Sequence, residues 1–203
     1  MPIFFSLFII FCVWLSYEIK KSNRLEASYK EDFLKKEHEA NLTRRQSTDS
    51  LERITLPDNI VFHPDNPTLS PIENKIKETF EHEIINLTGY SNTDLKLEFG
   101  RANLDYLSAC DGYFTRLVTL LKDWCIQLQS LGLDADCRDV LDFAIDIRSD
   151  NTDIFLMRAG YYINDNEADK INMLISVAAS LNTLNSRLIA DKLSAMLIDS
   201  VTV

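Results

Sequence analysis

The sequence predicts an all-α fold: an N-terminal transmembrane helix, a helical stalk, then antiparallel helix pairs closed by a C-terminal capping helix. Three observations carry that prediction. Only five glycines and five prolines occur in 203 residues, too few for the many tight turns of an all-β protein. Apolar residues beyond Ser70 recur three and four apart, the spacing of a helix face, and make up enough of the chain (46% overall) to build a core. The second half also repeats itself every 34 residues.

The first element is residues 1–19. From Pro2 to Tyr17 the chain is almost unbroken hydrophobe, through Ile3, Phe4, Phe5, Leu7, Phe8, Ile9, Ile10, Val13, Trp14 and Leu15. Counted on to Ile19, the run reaches the short end of the roughly 17–25 residues that span a bilayer. Trp14 and Tyr17 stand at its end, where interfacial aromatics belong. No Lys or Arg precedes it and no small-x-small site follows, so it reads as an uncleaved anchor rather than a signal peptide. Lys20, Lys21, Arg24 and Lys30 then place the following domain in the cytoplasm. The expected location is the cell membrane, with a single pass and membrane contact through residues 2–19.

Residues 20–46 are highly charged and lack Gly and Pro, which predicts a helical stalk. Leu25, Tyr29, Phe33, Leu34 and Leu42 offer a surface for self-association but are too sparse for a heptad seam. Residues 47–70 read as a linker, set by Pro57, Pro64 and Pro67. Its two apolar patches, Ile54-Thr55-Leu56 and Ile60-Val61-Phe62, are expected to dock on the domain.

The helical domain, residues 71–203, opens at Ser70-Pro71-Ile72-Glu73, a capping box with proline at the first helical position. Its first helix is expected to run to about Asn86, with Ile72, Ile76, Phe80 and Ile84 on one face. After Thr88-Gly89-Tyr90, one of Ser91, Asn92 and Thr93 caps a helix through Leu95, Phe99, Ala102 and Tyr106, which Asp111-Gly112 should end. These two helices form a degenerate pair over residues 71–110.

The repeat follows. Gly132 reads as a turn between helices bearing Leu121, Cys125 and Leu128 before it and Cys137, Leu141 and Ala144 after it. Adding 34 carries Leu121 to Phe155, Cys125 to Ala159, Leu128 to Tyr162, Gly132 to Asn166, Leu141 to Ile175 and Ala144 to Ala178. Asn, like Gly, tolerates the positive φ of a turn. The small residues let two backbones approach where helices cross, and the large ones fill the grooves. This pattern resembles the tetratricopeptide family over residues 118–183, as two repeats, with residues 184–200 as a capping helix showing Leu188, Leu193 and Leu197 on one face. Cys137 and Ile171 stand where the family usually has alanine, Arg158 where it prefers leucine, and Ser149 and Thr183 where it often has proline. Ile85-Asn86-Leu87-Thr88-Gly89, Asn92-Thr93-Asp94-Leu95-Lys96 and Asn103-Leu104 also resemble a group of single-pass membrane proteins of Gram-positive anaerobic bacteria. That second resemblance implies organisation and no activity.

The tetratricopeptide resemblance implies a ligand groove lined by the first helix of each repeat. By position this groove presents Thr119, Lys122, Ile126 and Gln129, then Asp153, Leu156, Gly160 and Ile163. The family's carboxylate clamp needs an asparagine where Ile126 stands, so that clamp is not implied. Asp139, Asp142 and Asp146 lie three and four apart on one helix stripe, a second candidate surface that suits a basic segment.

Charge and motifs bound the function classes. The net charge is -10, and residues 46–203 carry 13 Lys/Arg against 25 Asp/Glu. Such a domain repels phosphate backbones, so no nucleic-acid partner is expected. There is no HExxH, GxSxG, Walker loop or GxGxxG, and no Cys/His spacing suits zinc. Cys110, Cys125 and Cys137 read as small buried hydrophobes. No enzyme activity, cofactor or metal is therefore expected. The sequence reads as a membrane-tethered helical-repeat adaptor for an unidentified protein or peptide, or alternatively as an outward-facing envelope protein binding a peptide or cell-wall component.

Overall fold

The computed structural model describes residues 2–181 and 183–201. The described residues form eight α-helices: α1 (Pro2–Leu42), α2 (Ser70–Thr79), α3 (Asn92–Phe99), α4 (Leu104–Ser130), α5 (Asp134–Asp146), α6 (Thr152–Asn164), α7 (Lys170–Ser180) and α8 (Leu184–Val201). One isolated antiparallel bridge pairs Arg53 with Ile85. The all-α architecture expected from the sequence is present. The chain divides into two compact units, Met1–Ser47 with Ser91–Leu104, and Thr48–Tyr90 with Asp105–Val203.

In the first unit, α1 is a single helix of 41 residues, but its apolar part is short. Among the described residues no helix is long and apolar enough to cross a membrane, which overturns the expected transmembrane anchor and the cell-membrane location built on it. The side chains of Pro2 and Ile3, counted in that run, lie outside the described residues. From Phe4 the unbroken run ends at Tyr17, before Glu18, Lys20 and Lys21. Fourteen helical residues rise about 21 Å, well short of a hydrocarbon core about 30 Å thick.

The charged end of α1 is held to α3 by polar contacts that sequence spacing does not reveal. Ser91 caps α3 in a full capping box with Asp94. Lys36 Nζ reaches Asp94 at 2.7 Å, and Glu37 accepts from the Thr93 hydroxyl at 2.7 Å and from Lys96. Lys36 and then the Ser91 cap pull the Asp94 carboxyl down to about 2. Below α3 the chain turns at Gly100, with φ +85, into a 3-10 turn at Arg101–Asn103. Asn103, buried, gives its amide to the carbonyls of Gln46 and Phe99, both at 2.8 Å.

The second unit is built on α4. Leu107, Phe114, Leu117, Leu121, Trp124, Cys125 and Leu128 are all buried there, a two-sided pattern for a helix packed on several neighbours. Asp111 and Gly112 do not end a helix, since α4 runs straight through them. Asp111 instead turns its carboxylate to the backbone N–H of Leu87 at 3.3 Å. The expected helix 71–86 is also shorter. α2 stops at Thr79, and Ile84 and Ile85 continue as extended, buried chain, with Ile54 N–H bonded to the Ile84 carbonyl at 2.9 Å. Glu73 does not close a capping box on Ser70, because its buried carboxylate accepts from the backbone N–H of His63 at 2.8 Å.

The segment 57–69 crosses the core as a strap. Ile60 and Leu69 are buried, Phe62 stacks on Trp124 at 5.2 Å between ring centroids, and Ile54 and Leu56 pack against the same core. α6 packs on α5, α7 and α8, and α7 on α8. On α8 the buried face is Ile189 and Leu193, with Met196 and Leu197 beside it, while Leu188 is exposed. The apolar face is thus one residue round from the face read in the sequence.

The turns carry the 34-residue correspondence into hydrogen bonds. After α4, Gly132 (φ +71) gives its N–H to Gln129 O and Leu133 gives its N–H to Leu128 O. After α6, Asn166 (φ +59) gives its N–H to Ile163 O and Glu167 gives its N–H to Tyr162 O. Both are Schellman motifs, the second displaced from the first by 34 residues at every donor and acceptor. Cys125, Ala144, Ala159 and Ala178, the small residues of the period, are all fully buried.

Candidate functional site

Each helix of the second unit hides a stripe, and the residues left over form the candidate surfaces. Thr119 is exposed on α4, one turn above Thr115, whose carbonyl its hydroxyl bonds at 3.0 Å. Asp153 is exposed in the first turn of α6, where its backbone N–H donates to the capping side chain of Asn151 at 3.0 Å. Thr119 and Asp153 line one cleft of about 370 Å³, together with Thr88, Phe114, Thr115, Val118, Asp150, Asn151, Thr152 and Asn185. Three pairs along this lining are 34 residues apart: Val118 with Thr152, Thr119 with Asp153, and Asn151 with Asn185. The cleft therefore crosses α4, α6 and the start of α8 at equivalent places in successive units.

The cleft is acidic and lacks a cation. Asn185 gives its amide to Asp150, at 3.4 Å to the carbonyl and 3.3 Å to the carboxylate. Asp150 and Asp153 are the only charged residues of the lining. Phe114 and Val118, both buried, form its apolar side.

The other expected groove residues separate. Lys122 is half-buried and paired with Asp123 at 3.2 Å. Ile126, half exposed, lines a different cavity of about 400 Å³ beside Thr68, Ile72, Lys75 and Leu120. Gln129 is exposed near the end of α4. Leu156 packs against the core. Gly160 faces open space, with nothing within 4 Å of where a Cβ would stand. Ile163 lines a third cavity of about 670 Å³, with Asn166, Ala168, Met196, Asp199 and Ser200. Of the eight groove positions, only Thr119 and Asp153 share a cavity.

The acidic stripe on α5 is not a free surface. Asp142 is held in a two-point ion pair by Arg158 of α6, at 2.6 and 2.9 Å, and that guanidinium lies 4.1 Å from the centre of the Tyr162 ring. Burial opposes the Arg158 charge, and Asp142 more than offsets it. Asp139 is half-buried, and Asp146 lines a separate cavity with residues 51–55 and the turn after α5. Arg158, which departs from the family's leucine, thus spends the stripe's middle charge inside the fold.

Sequence reasoning missed Asn151, Asn185 and Thr115. The signal was present for the first two, because adding 34 to the cap Asn151 lands on Asn185. Thr115 lay outside the assumed start of the repeat.

The nucleophile inventory is closed off. Cys110, Cys125 and Cys137 are buried. The sulfurs of Cys125 and Cys137 point at each other's backbone carbonyls, at 3.9 and 3.5 Å. Contact with Cys137, followed by burial, pushes the Cys125 thiol well above the ordinary range, the reverse of what a thiolate nucleophile needs. His82 stacks on Tyr113 at 4.1 Å. Among the described residues no group of three or more His, Cys, Asp or Glu is placed to hold a metal ion. Compared with protein families, curated proteins and solved structures, the chain matches none of them.

Proposed function

We propose that this chain is a tetratricopeptide-like interaction module whose cleft between α4, α6 and α8 takes a basic segment of a protein partner. The observation that carries the reading is the cleft lining, in which three residue pairs related by the 34-residue period face one cavity. Solenoid proteins bind along surfaces made by equivalent positions of successive units. Asp150 and Asp153 give this surface its sign, and the acid excess of residues 46–203 extends that sign around it. A Lys or Arg side chain entering beside Phe114 would meet two carboxylates and an aromatic face, a favourable pairing for a cation. The reading assigns binding, and no catalytic step, to these residues.

A photo-crosslinking amino acid placed at Thr119, at Asp153 and, as a control, at Met173 tests it. Met173 is 67% exposed on α7 and lines none of these cavities. The reading expects one shared adduct at Thr119 and Asp153, lost when Asp150 and Asp153 are replaced by Lys, and none at Met173. Equal labelling at all three positions would sink it.

A further inference from the structure

His63 lies between two carboxylates from two helices far apart in sequence. Its Nδ1 is 3.4 Å from Glu73 Oε1 on α2, and its Nε2 is 3.2 Å from Asp136 Oδ2 on α5. The Glu73 side chain is only 1% exposed, and its other oxygen already accepts the His63 backbone N–H. A buried carboxylate is costly unless it is paired and hydrogen-bonded. Among the described residues no cation other than the imidazole stands against it. Lys77, one turn on from Glu73, lies over the Phe62 ring at 4.4 Å. On α4, Lys122 pairs with Asp123. Next to Asp136 in the first turn of α5, Asp134 takes the Tyr161 hydroxyl at 2.8 Å.

The two carboxylates face opposite nitrogens of one ring, so they do not converge on a point where an ion would sit. They match an imidazolium, which donates from both nitrogens. A neutral ring has one N–H, and its bare nitrogen would set a lone pair against a carboxylate. We propose that His63, Glu73 and Asp136 form a proton-operated latch that holds the 57–69 strap on the core and loosens it when the ring gives up its proton. Phe62 is the residue before the latch, so loosening lifts its ring from Trp124 and opens the apolar surface beneath.

The sign follows from the charged form being the one with partners. The latch is complete on the acid side of imidazole titration, which for a free ring centres on about pH 6.5, and it is lost as pH rises through the ring's titration in the fold. It is also lost at strong acid, once the carboxylates are protonated.

Trp14 and Trp124 are the two tryptophans, so the full chain carrying Trp14→Phe reports Trp124 alone. Its emission, followed from pH 5 to 9, is expected to show a one-proton step that His63→Gln abolishes and Glu73→Gln moves to lower pH. A step that persists unchanged in His63→Gln would overturn the latch. Should His63→Gln fail to fold, the His63 ring is followed by nuclear magnetic resonance in the otherwise native chain. Loss of its proton in step with the Trp124 change supports the proposal, and titration with no accompanying Trp124 change refutes it.

Discussion

At Gly100 the chain takes a positive φ while passing so close to residues 44–45 that a Cβ would come within 2.8 Å of the Arg45 Cα. Backbone cannot yield as a flexible side chain can, so Gly100→Ala is expected to cost at least about 2 kcal/mol in urea unfolding followed in the first unit. Gly112 is the opposite case. It sits inside α4, and nothing lies within 4 Å of its absent Cβ, so Gly112→Ala should raise stability by roughly 0.5–1 kcal/mol. A loss there would restore the helix end that Asp111-Gly112 suggests in the sequence. Asp94 carries the clearest pH dependence. Its carboxyl is lowered to about 2 by Lys36 and Ser91, so its contribution is complete above the unfolded value near 3.9 and lost as pH falls through about 2. Amide exchange in α3 should stay protected at pH 5 and quicken between about pH 4 and pH 2, with onset at higher pH in Lys36→Ala. The Ser91 cap was legible because Ser91 and Asp94 sit at capping-box spacing. Glu73 shares that spacing with Ser70, yet it serves the His63 strap, a partner that no local pattern announces.

Turns and crossings were the most legible elements. Gly132 and Asn166 are far enough apart to be independent, yet both close a helix with the same two hydrogen bonds, so a repeat found by eye in the sequence has a physical counterpart at its turns. Substitutions there should therefore differ only by side-chain chemistry. Asn166→Gly removes a Cβ from a left-handed position and is expected to stabilise by up to about 1 kcal/mol, whereas Gly132→Ala should cost about 1 kcal/mol. Thermal melts of the two variants check both, and equal effects would mean that the turns are not equivalent. The crossings behave alike for the same reason: Cys125 and Ala159 are both fully buried, and enlarging either to Leu should cost about 1–3 kcal/mol by overpacking. Helix ends were less legible than turns. α2 ends early because Ile84 and Ile85 are claimed by the extended segment at Arg53 and Ile54, a long-range pairing that overrides an i+4 stripe. The candidate cleft was half legible. The period supplied Thr119 and Asp153, but which exposed positions share a cavity depends on how α8 packs on α6.

At the scale of the whole molecule, the linker is where the sequence said least and the fold says most. Its apolar patches were visible, but His63 between α2 and α5 was not, because the three residues of that latch come from three elements. The N-terminal helix poses the reverse problem. Its hydrophobicity is plain in the sequence, yet Phe4, Phe8, Ile10, Val13 and Tyr17 are each more than 60% exposed on the described helix, with no buried face among them. Contiguous apolar surface of this extent is rare on a monomer and favours association at about 25 cal/mol per Å² removed from water. No charged residue lies between Met1 and Tyr17, so the repulsion that keeps the rest of this acidic chain apart does not act there. In aqueous buffer the full chain is therefore expected to sediment as concentration-dependent oligomers. Exchanging Phe4, Phe8 and Phe11 for Glu should return it to a monomer, with the Trp124 environment of the second unit unchanged. Oligomers that survive the exchange would place the contact elsewhere, with the charged half of α1 the next surface to test by reversing Lys30 and Lys35.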